Sequence, residues 1–222
     1  MFDDRIAGRI ERCGVVAVLT VERVEDAAPL ARALLAGGVD AMELTLRTPA
    51  AAEALRVVVA KVPEMLAGVG TILTPEQVAE VREAGAAFGV APGTNPRVVE
   101  AARAAGLAFA PGVATPSDIE RAVELGCRTL KFFPAERIGG LPYLKSMAAP
   151  YAHLGLRFMP LGGINSGNMQ EYLRDPLMLA VGGSWIAPRG KILERDWQGI
   201  TETAREATGL VEKVRGTSGE GA

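Results

Sequence analysis

Short apolar runs recur along the whole chain, and alanine-rich amphipathic stretches separate them. Runs of this length, rich in β-branched residues, are typical of buried parallel strands, and the stretches between them are typical of covering helices. The pattern therefore predicts repeated strand–helix units around a parallel sheet. The predicted strands are Val15–Leu19, Ala41–Leu46, Leu66–Gly70, Ala87–Ala91, Leu107–Ala110, Thr129–Phe133, Leu156–Pro160 and Met178–Val181.

Several segments between these strands carry apolar residues three and four positions apart and end in glycine, as capped helices do: VEDAAPLARALLAGG, TPEQVAEVREAG, NPRVVEAARAAG and TPSDIERAVELG. Thr74, Asn95 and Thr115 each precede a proline, which is the pattern of an N-cap followed by the first helical residue. Eight such units predict an α/β fold of the (β/α)8 TIM-barrel type. A doubly wound open sheet is the alternative.

The length of 222 residues suits one barrel, because such barrels occupy roughly 200–250 residues without dividing. We therefore expect a single domain over residues 1–214. Residues 215–222 are polar and glycine-rich, which predicts a disordered C-terminal tail.

The balance of 24 Lys+Arg against 26 Asp+Glu gives no strong field that would attract nucleic acid or an anionic membrane. No leader-like apolar core opens the chain, and no apolar run approaches the ~20 residues that span a bilayer. We therefore expect a cytoplasmic protein with no nucleic-acid or membrane partner. An anionic ligand would have to be held by local contacts.

Metal chemistry is not expected, because His153 is the only histidine and no histidine-rich zinc site can form. Cys13 and Cys127 are far apart in sequence and fit neither a metal-ligand spacing nor a disulfide framework. They are predicted to be buried free thiols.

Three charged residues lie in or at the ends of otherwise apolar strands: Glu43, Arg47 and Lys131. The two-residue period of a strand places Glu43 and Arg47 on one face and Lys131 and Phe133 together on another strand. These faces are predicted to point into the barrel, at its upper mouth. Burial and a neighbouring cation such as Arg47 both favour the free amine of a lysine, which is the form that attacks a carbonyl.

Alternatives to chemistry remain open for each of these residues. Lys131 and Glu43 could form an internal ion pair with no catalytic role, or the lysine could extend to water. Arg47 could clamp loop carbonyls, although its guanidinium also suits a substrate carboxylate. Thr71 could add a hydroxyl to the same anion or serve only in a turn.

Two glycine pairs, Gly162–Gly163 and Gly182–Gly183, follow the last two predicted strands, and Ser184 comes directly after the second pair. Loops at these barrel positions commonly bind phosphate, because glycine lets backbone N–H groups approach an anion and a following helix adds its dipole. A substrate that is anionic at both ends is therefore expected. Two functions other than catalysis by the Lys131 amine would also suit such a site: a phosphate-binding isomerase or epimerase, and a non-catalytic sugar-acid sensor.

The chain resembles the class I 2-keto-3-deoxy-6-phosphogluconate (KDPG) aldolases, which also act as 4-hydroxy-2-oxoglutarate (KHG) aldolases. The resemblance runs from about Cys13 to Gly209. It rests on AGGVDAMELTLRT, GVGT, APGTNP, PGVATPSD, LKFFPAE, GGIN and VGGSW, in that order.

The resemblance implies that Lys131 is the Schiff-base nucleophile, that Glu43 is the general acid/base, and that no metal or organic cofactor takes part. It further implies a homotrimer. Leu161 departs from the threonine that commonly precedes the paired glycines in the gluconate-type enzymes, so preference between gluconate and galactonate substrates is in doubt. By the same resemblance, the pyruvate-end carboxylate would be bound by Arg47 and Thr71, Phe133 would pack beside the substrate, and the phosphate would be held by Gly162, Gly163, Gly183 and Ser184.

Overall fold

The computed structural model describes residues 2–217, and its strands lie close to the predicted ones. The strands are β1 Val15–Leu19, β2 Ala41–Thr45, β3 Leu66–Gly70, β4 Phe88–Val90, β5 Ala108–Ala110, β6 Gly112–Val113, β7 Thr129–Phe132, β8 Arg157–Pro160 and β9 Val181–Gly183. The α-helices are α1 Asp4–Cys13, α2 Ala27–Ala36, α3 Ala51–Lys61, α4 Pro75–Glu83, α5 Pro96–Ala104, α6 Pro116–Glu124, α7 Gly140–Ala148, α8 Met169–Leu173, α9 Arg189–Glu194 and α10 Trp197–Thr217.

Every strand pairing is parallel, and the strands form two sheets. One sheet has the order β5-β4-β3-β2-β1-β9 and the other has the order β6-β7-β8. Only Pro111 separates β5 from β6. Single bridges join Phe158 to Met178 and Leu161 to Gly182, so the second sheet also meets the chain around β9. The fold is thus an α/β fold with a curled parallel sheet.

Two predicted strands needed correction. The fifth predicted strand ends at Ala110, whereas the chain pairs again at Gly112–Val113. The two strands are separate because Pro111 has no N–H to continue the ladder. The eighth prediction, Met178–Val181, was placed too early, since β9 is Val181–Gly183. Gly182 and Gly183 therefore lie inside the last strand, where a side chain on Gly182 would meet Leu161 and one on Gly183 would meet the Trp185 ring.

The predicted helix caps are confirmed. The Thr74 and Thr115 hydroxyls accept hydrogen bonds from the backbone N–H groups three residues on, and the Asn95 side chain accepts from Arg97 N–H. Helix α10 continues to Thr217, so residues 215–217 are helical and not part of the predicted disordered tail. The rest of that predicted tail, 218–222, lies outside the described residues.

The core lies between the sheet and the helices and consists mainly of Val, Leu, Ile and Ala. Cys13 and Cys127 are buried free thiols, as predicted. Burial raises the pKa of Cys13 to about 11, with the charge of nearby Asp40 acting in the same direction, and burial also raises the pKa of Cys127. Both thiols therefore stay protonated and unreactive near neutral pH.

Within residues 2–217, no helix is both long enough and apolar enough to cross a membrane.

Candidate active site

A cavity of about 340 Å³ opens at the edge of the sheet where the strands end. Because all strands are parallel, the residues that close each strand converge on this edge. All nine site residues predicted from the sequence line the cavity, and four further residues join them. The predicted residues are Glu43, Arg47, Thr71, Lys131, Phe133, Gly162, Gly163, Gly183 and Ser184, and the others are Val18, Pro92, Leu161 and Ile164.

The centre of the cavity is a buried amine beside a buried carboxylate. Lys131 Nζ lies 3.2 Å from Glu43 Oε1, and the two side chains are 7% and 2% exposed. Lys131 extends from β7 and Glu43 from β2, as the alternation along each strand predicted. Two charges removed from water stabilise each other only at such short range, and the loss of their hydration still costs free energy. A proton transfer between them would neutralise both charges, so the pair is suited to moving protons.

Glycine on the neighbouring strand creates the space for Glu43. An added Cβ at Gly70 would lie 1.7 Å from Glu43 Oε1, which no real contact allows. Two residues earlier, an added Cβ at Gly68 would lie 2.3 Å from the Phe88 ring. The sequence GVG in β3 thus leaves one space for a carboxylate and one for an aromatic ring. The sequence-based prediction used only Thr71 of this motif and missed the role of Gly70.

Phe133 connects the amine to the glycine turn. Lys131 Nζ lies 5.5 Å from the centre of the Phe133 ring, a distance at which the ring attracts an ammonium group. The same ring lies 3.3 Å from the position that a Cβ on Gly162 would occupy. With these two contacts, Phe133 forms an apolar wall between the lysine and the turn. The peptide bond from Phe133 to Pro134 is cis.

Arg47 and Thr71 follow the adjacent strands β2 and β3 and present polar groups without protein partners. Neither the Arg47 guanidinium nor the Thr71 hydroxyl is hydrogen-bonded to any residue from 2 to 217, although both residues line the cavity. Thr71 has φ of 63°, a conformation that a β-branched residue seldom adopts. Strain of this kind is concentrated at functional sites. The two residues could bind a carboxylate.

The turn that follows β8 leaves backbone donors unused. Gly162 and Gly163 have φ of 97° and 89°, and the amides of Asn165 and Asn168 both donate to the Gly163 carbonyl at 3.1 Å. The N–H groups of Gly163 and Ile164 donate to no residue in the described part of the chain. Ser184, which is exposed after β9, likewise has an uncommitted hydroxyl. These groups suit an anion that is held without a charged side chain.

The expected contribution of a helix dipole is not supported. Helix α8 begins at Met169, well after the glycine pair, and it is five residues long. Helix α9 begins at Arg189, again several residues after Ser184. The backbone donors available to an anion at this site are therefore individual N–H groups of the turn and not the ends of long helices.

Among residues 2–217, no three His, Cys, Asp or Glu side chains lie close enough together to hold a metal ion.

A buried amine beside a carboxylate, in a cavity at the carboxyl ends of parallel strands, is the arrangement of an α/β enzyme that acts through a lysine. Residues 6–203 match the aldolase family described as KDPG and KHG aldolase. A 2-dehydro-3-deoxy-phosphogluconate aldolase of Treponema pallidum is 45% identical over 202 residues, covering 91% of this chain and 95% of the relative. The chain therefore belongs to the KDPG and KHG aldolase family.

Two solved structures share the fold closely. The KDPG aldolase of Zymomonas mobilis with 3-phosphoglycerate superposes with a TM-score of 0.86 at 42% identity, over 94% of this chain and 97% of that one. The KDPG aldolase of Legionella pneumophila, captured with pyruvate as a covalent carbinolamine, has a TM-score of 0.85 at 40% identity, over 90% and 96% of the two chains.

Replacing Thr71 separates backbone strain from the hydroxyl. Thr71→Gly removes the unfavourable contacts of a Cβ at positive φ, so we expect its free energy of unfolding to exceed that of Thr71→Ala by about 1 kcal/mol. Thr71→Ala keeps the Cβ and removes only a hydroxyl that is hydrogen-bonded to none of the described residues, so its stability should differ little from that of the wild type. Urea unfolding of the three proteins measures this, and a Thr71→Gly variant less stable than Thr71→Ala would contradict it.

Proposed function

We propose that this protein is a class I aldolase that cleaves 2-dehydro-3-deoxy-6-phosphogluconate to pyruvate and glyceraldehyde 3-phosphate. The observation that carries the proposal is the buried Lys131–Glu43 pair, in a cavity whose other walls present unpaired anion-binding groups. Membership of the KDPG and KHG aldolase family supports it. Cleavage of 4-hydroxy-2-oxoglutarate to pyruvate and glyoxylate is a second reaction of the same site.

In the proposed first step, the Lys131 amine attacks the C2 ketone of the substrate. The amine must be neutral to attack, and Glu43, at 3.2 Å from Nζ, is placed to take its proton. The carbinolamine then loses water with a proton supplied by Glu43, which leaves an iminium ion on Lys131. A carbinolamine of pyruvate was captured in the Legionella pneumophila relative, which supports this order of events.

The iminium ion then accepts the electron pair of the C3–C4 bond. A base, for which Glu43 is the candidate, removes the proton of the C4 hydroxyl, so that C4 leaves as the aldehyde carbon of glyceraldehyde 3-phosphate. The enamine that remains takes a proton at C3, and water hydrolyses the resulting iminium to release pyruvate and the free lysine. The scheme needs no metal or organic cofactor.

The two anionic ends of the substrate are assigned to opposite parts of the cavity. Arg47 and Thr71 bind the carboxylate next to C2, because a guanidinium fork suits a carboxylate and neither side chain is hydrogen-bonded within the described residues. Phe133 covers the carbon chain. The phosphate is held at the loops after β8 and at β9, by backbone N–H groups and a hydroxyl from Gly162, Gly163, Gly183 and Ser184.

We further propose that β5 and β6 act as one strand, so that the two sheets close into an eight-stranded (β/α)8 barrel. The isolated β-bridges from Phe158 to Met178 and from Leu161 to Gly182 support closure between β8 and β9. The barrel would form a single domain over residues 1–214. The homotrimer stays a prediction from the family resemblance.

The function is tested by supplying 2-dehydro-3-deoxy-6-phosphogluconate and following pyruvate with lactate dehydrogenase and NADH. We expect turnover by the wild type and none by Lys131→Met, which removes the nucleophile and keeps a flexible apolar side chain of similar length. Circular dichroism checks that the variant is folded. Near-normal activity in Lys131→Met would refute the Schiff-base scheme, and no activity in the wild type would refute the substrate.

Gly70→Ala tests the role of Glu43 without changing a polar group. The new methyl group would occupy the position of the Glu43 carboxylate and displace it from Lys131. Since general acid–base catalysis contributes roughly 10²–10⁴-fold, we expect kcat to fall by about 100-fold or more. Gly93→Ala is the matched control, because nothing lies within 4 Å of an added Cβ there. Equal kcat values in the two variants would remove Glu43 from the proposed role.

Leu161 tests substrate stereochemistry. It lines the cavity and offers no hydrogen bond, where the gluconate-type enzymes commonly have threonine. We expect Leu161→Thr to raise the ratio of kcat/KM for the gluconate-derived substrate over its galactonate-derived epimer by about fivefold, because one hydroxyl contact is worth about 1 kcal/mol. The ratio is measured with both epimers. An unchanged ratio would show that this position does not select the epimer.

A further inference from the structure

Tyr172 and Glu136 form a hydrogen-bonded pair behind the glycine turn. The Tyr172 side chain is on α8 and is 1% exposed, and its phenol donates to Glu136 Oε1. Burial, together with the acceptor Glu136, raises the pKa of Tyr172, so the phenol stays protonated and able to donate near neutral pH. Neither residue lines the cavity. The mechanism above therefore leaves this pair without a role.

Glu136 contacts the glycine turn through its backbone and its side chain. Its N–H donates to the Gly162 carbonyl at 3.0 Å, and the preceding N–H of Ala135 donates to the Leu161 carbonyl at 2.8 Å. The Cβ and Cγ atoms of Glu136 lie 2.6 and 2.8 Å from where a Cβ on Gly163 would be. The glutamate stem therefore packs directly against Gly163, and the Tyr172 phenol holds the end of that stem.

The turn is constrained on the other side by Asn165 and Asn168, whose amides both donate to the Gly163 carbonyl. The carbonyls of Gly162 and Gly163 both accept hydrogen bonds, whereas the N–H groups of Gly163 and Ile164 donate to no residue between 2 and 217. Glycine has no side-chain barrier that would hold φ near 90° by itself. The conformation that presents these N–H groups therefore depends on the residues packed around it.

We propose that Glu136 and Tyr172 are positioning residues that hold the Gly162–Gly163 turn in its phosphate-binding conformation and so favour phosphorylated substrates. The inference rests on the proposed function, because the phosphate is the group that the turn binds. The pair acts through the turn and does not touch the substrate. Its loss should weaken binding at the phosphate end and leave the chemistry at Lys131 unchanged.

The test compares two substrates that differ only in the phosphate: 2-dehydro-3-deoxy-6-phosphogluconate and the same sugar acid without phosphate. For Tyr172→Phe we expect KM for the phosphorylated substrate to rise about tenfold at nearly unchanged kcat, and kcat/KM for the unphosphorylated one to change by less than about twofold. The inhibition constant of inorganic phosphate should rise in parallel. Tyr143→Phe is the matched control, because the Tyr143 hydroxyl donates to the Ala114 carbonyl and not to Glu136 or the turn, so this variant should affect neither substrate.

Glu136 provides the second variant if Tyr172→Phe does not fold. Glu136→Gln keeps both the stem and an acceptor for Tyr172, so its KM should stay within about threefold of wild type, while Glu136→Ala removes both and should match or exceed Tyr172→Phe. Equal effects on the two substrates, or unchanged phosphate inhibition, would overturn the proposal and assign the pair a structural role.

Phosphate binding can be measured even if the protein does not cleave the proposed substrate. If the wild type cleaves neither substrate, calorimetric titration with inorganic phosphate replaces kinetics. Weaker phosphate binding by Tyr172→Phe than by Tyr143→Phe would then support the positioning role on its own. Equal phosphate binding by the two variants would refute it.

Discussion

The structure depends on one arrangement that costs free energy of desolvation: an ammonium and a carboxylate buried together at the edge of the sheet where the parallel strands end. Lys131 and Glu43 come from different strands and meet at 3.2 Å. Breaking such a pair would strand a charge in an apolar core, so the surrounding residues must hold both partners. Gly70 does this for Glu43 by leaving no side chain where the carboxylate lies. β3 therefore needs glycine at position 70, because Glu43 must have room to reach Lys131 on β7.

A second constraint is the overall charge balance, since a chain with 24 basic and 26 acidic residues has no general attraction for anions. Anion recognition therefore depends on local donors. In the proposed binding mode, one end uses Arg47 and the strained Thr71, and the other uses backbone N–H groups of the Gly162–Gly163 turn, where the Gly163 carbonyl already accepts two hydrogen bonds. In this proposal the chemistry at the lysine and the recognition of the phosphate use different residues, so we expect a substitution at one to leave the other unchanged.

Much of this was predictable from the sequence, because strand alternation places Glu43 and Lys131 on inward faces and helix caps mark the repeated units. The failures have physical causes. Pro111 interrupts a strand that resumes at Gly112, and the last strand contains its glycines because Leu161 and the Trp185 ring pack against them. The role of Gly70 depends on cross-strand register, and the Glu136–Tyr172 pair joins residues 36 positions apart. Neither relation produces a pattern among neighbouring residues of the sequence.

The most direct test of the central claim, that Lys131 forms an imine with the substrate, is reduction of the protein with borohydride in the presence of pyruvate. Borohydride converts a transient imine to a stable amine, and peptide mass spectrometry then locates it. A pyruvyl adduct confined to the peptide containing Lys131, and absent from Lys131→Met, is the expected result. An unmodified Lys131 in folded, pyruvate-treated protein, or an adduct on a different lysine, would contradict the claim.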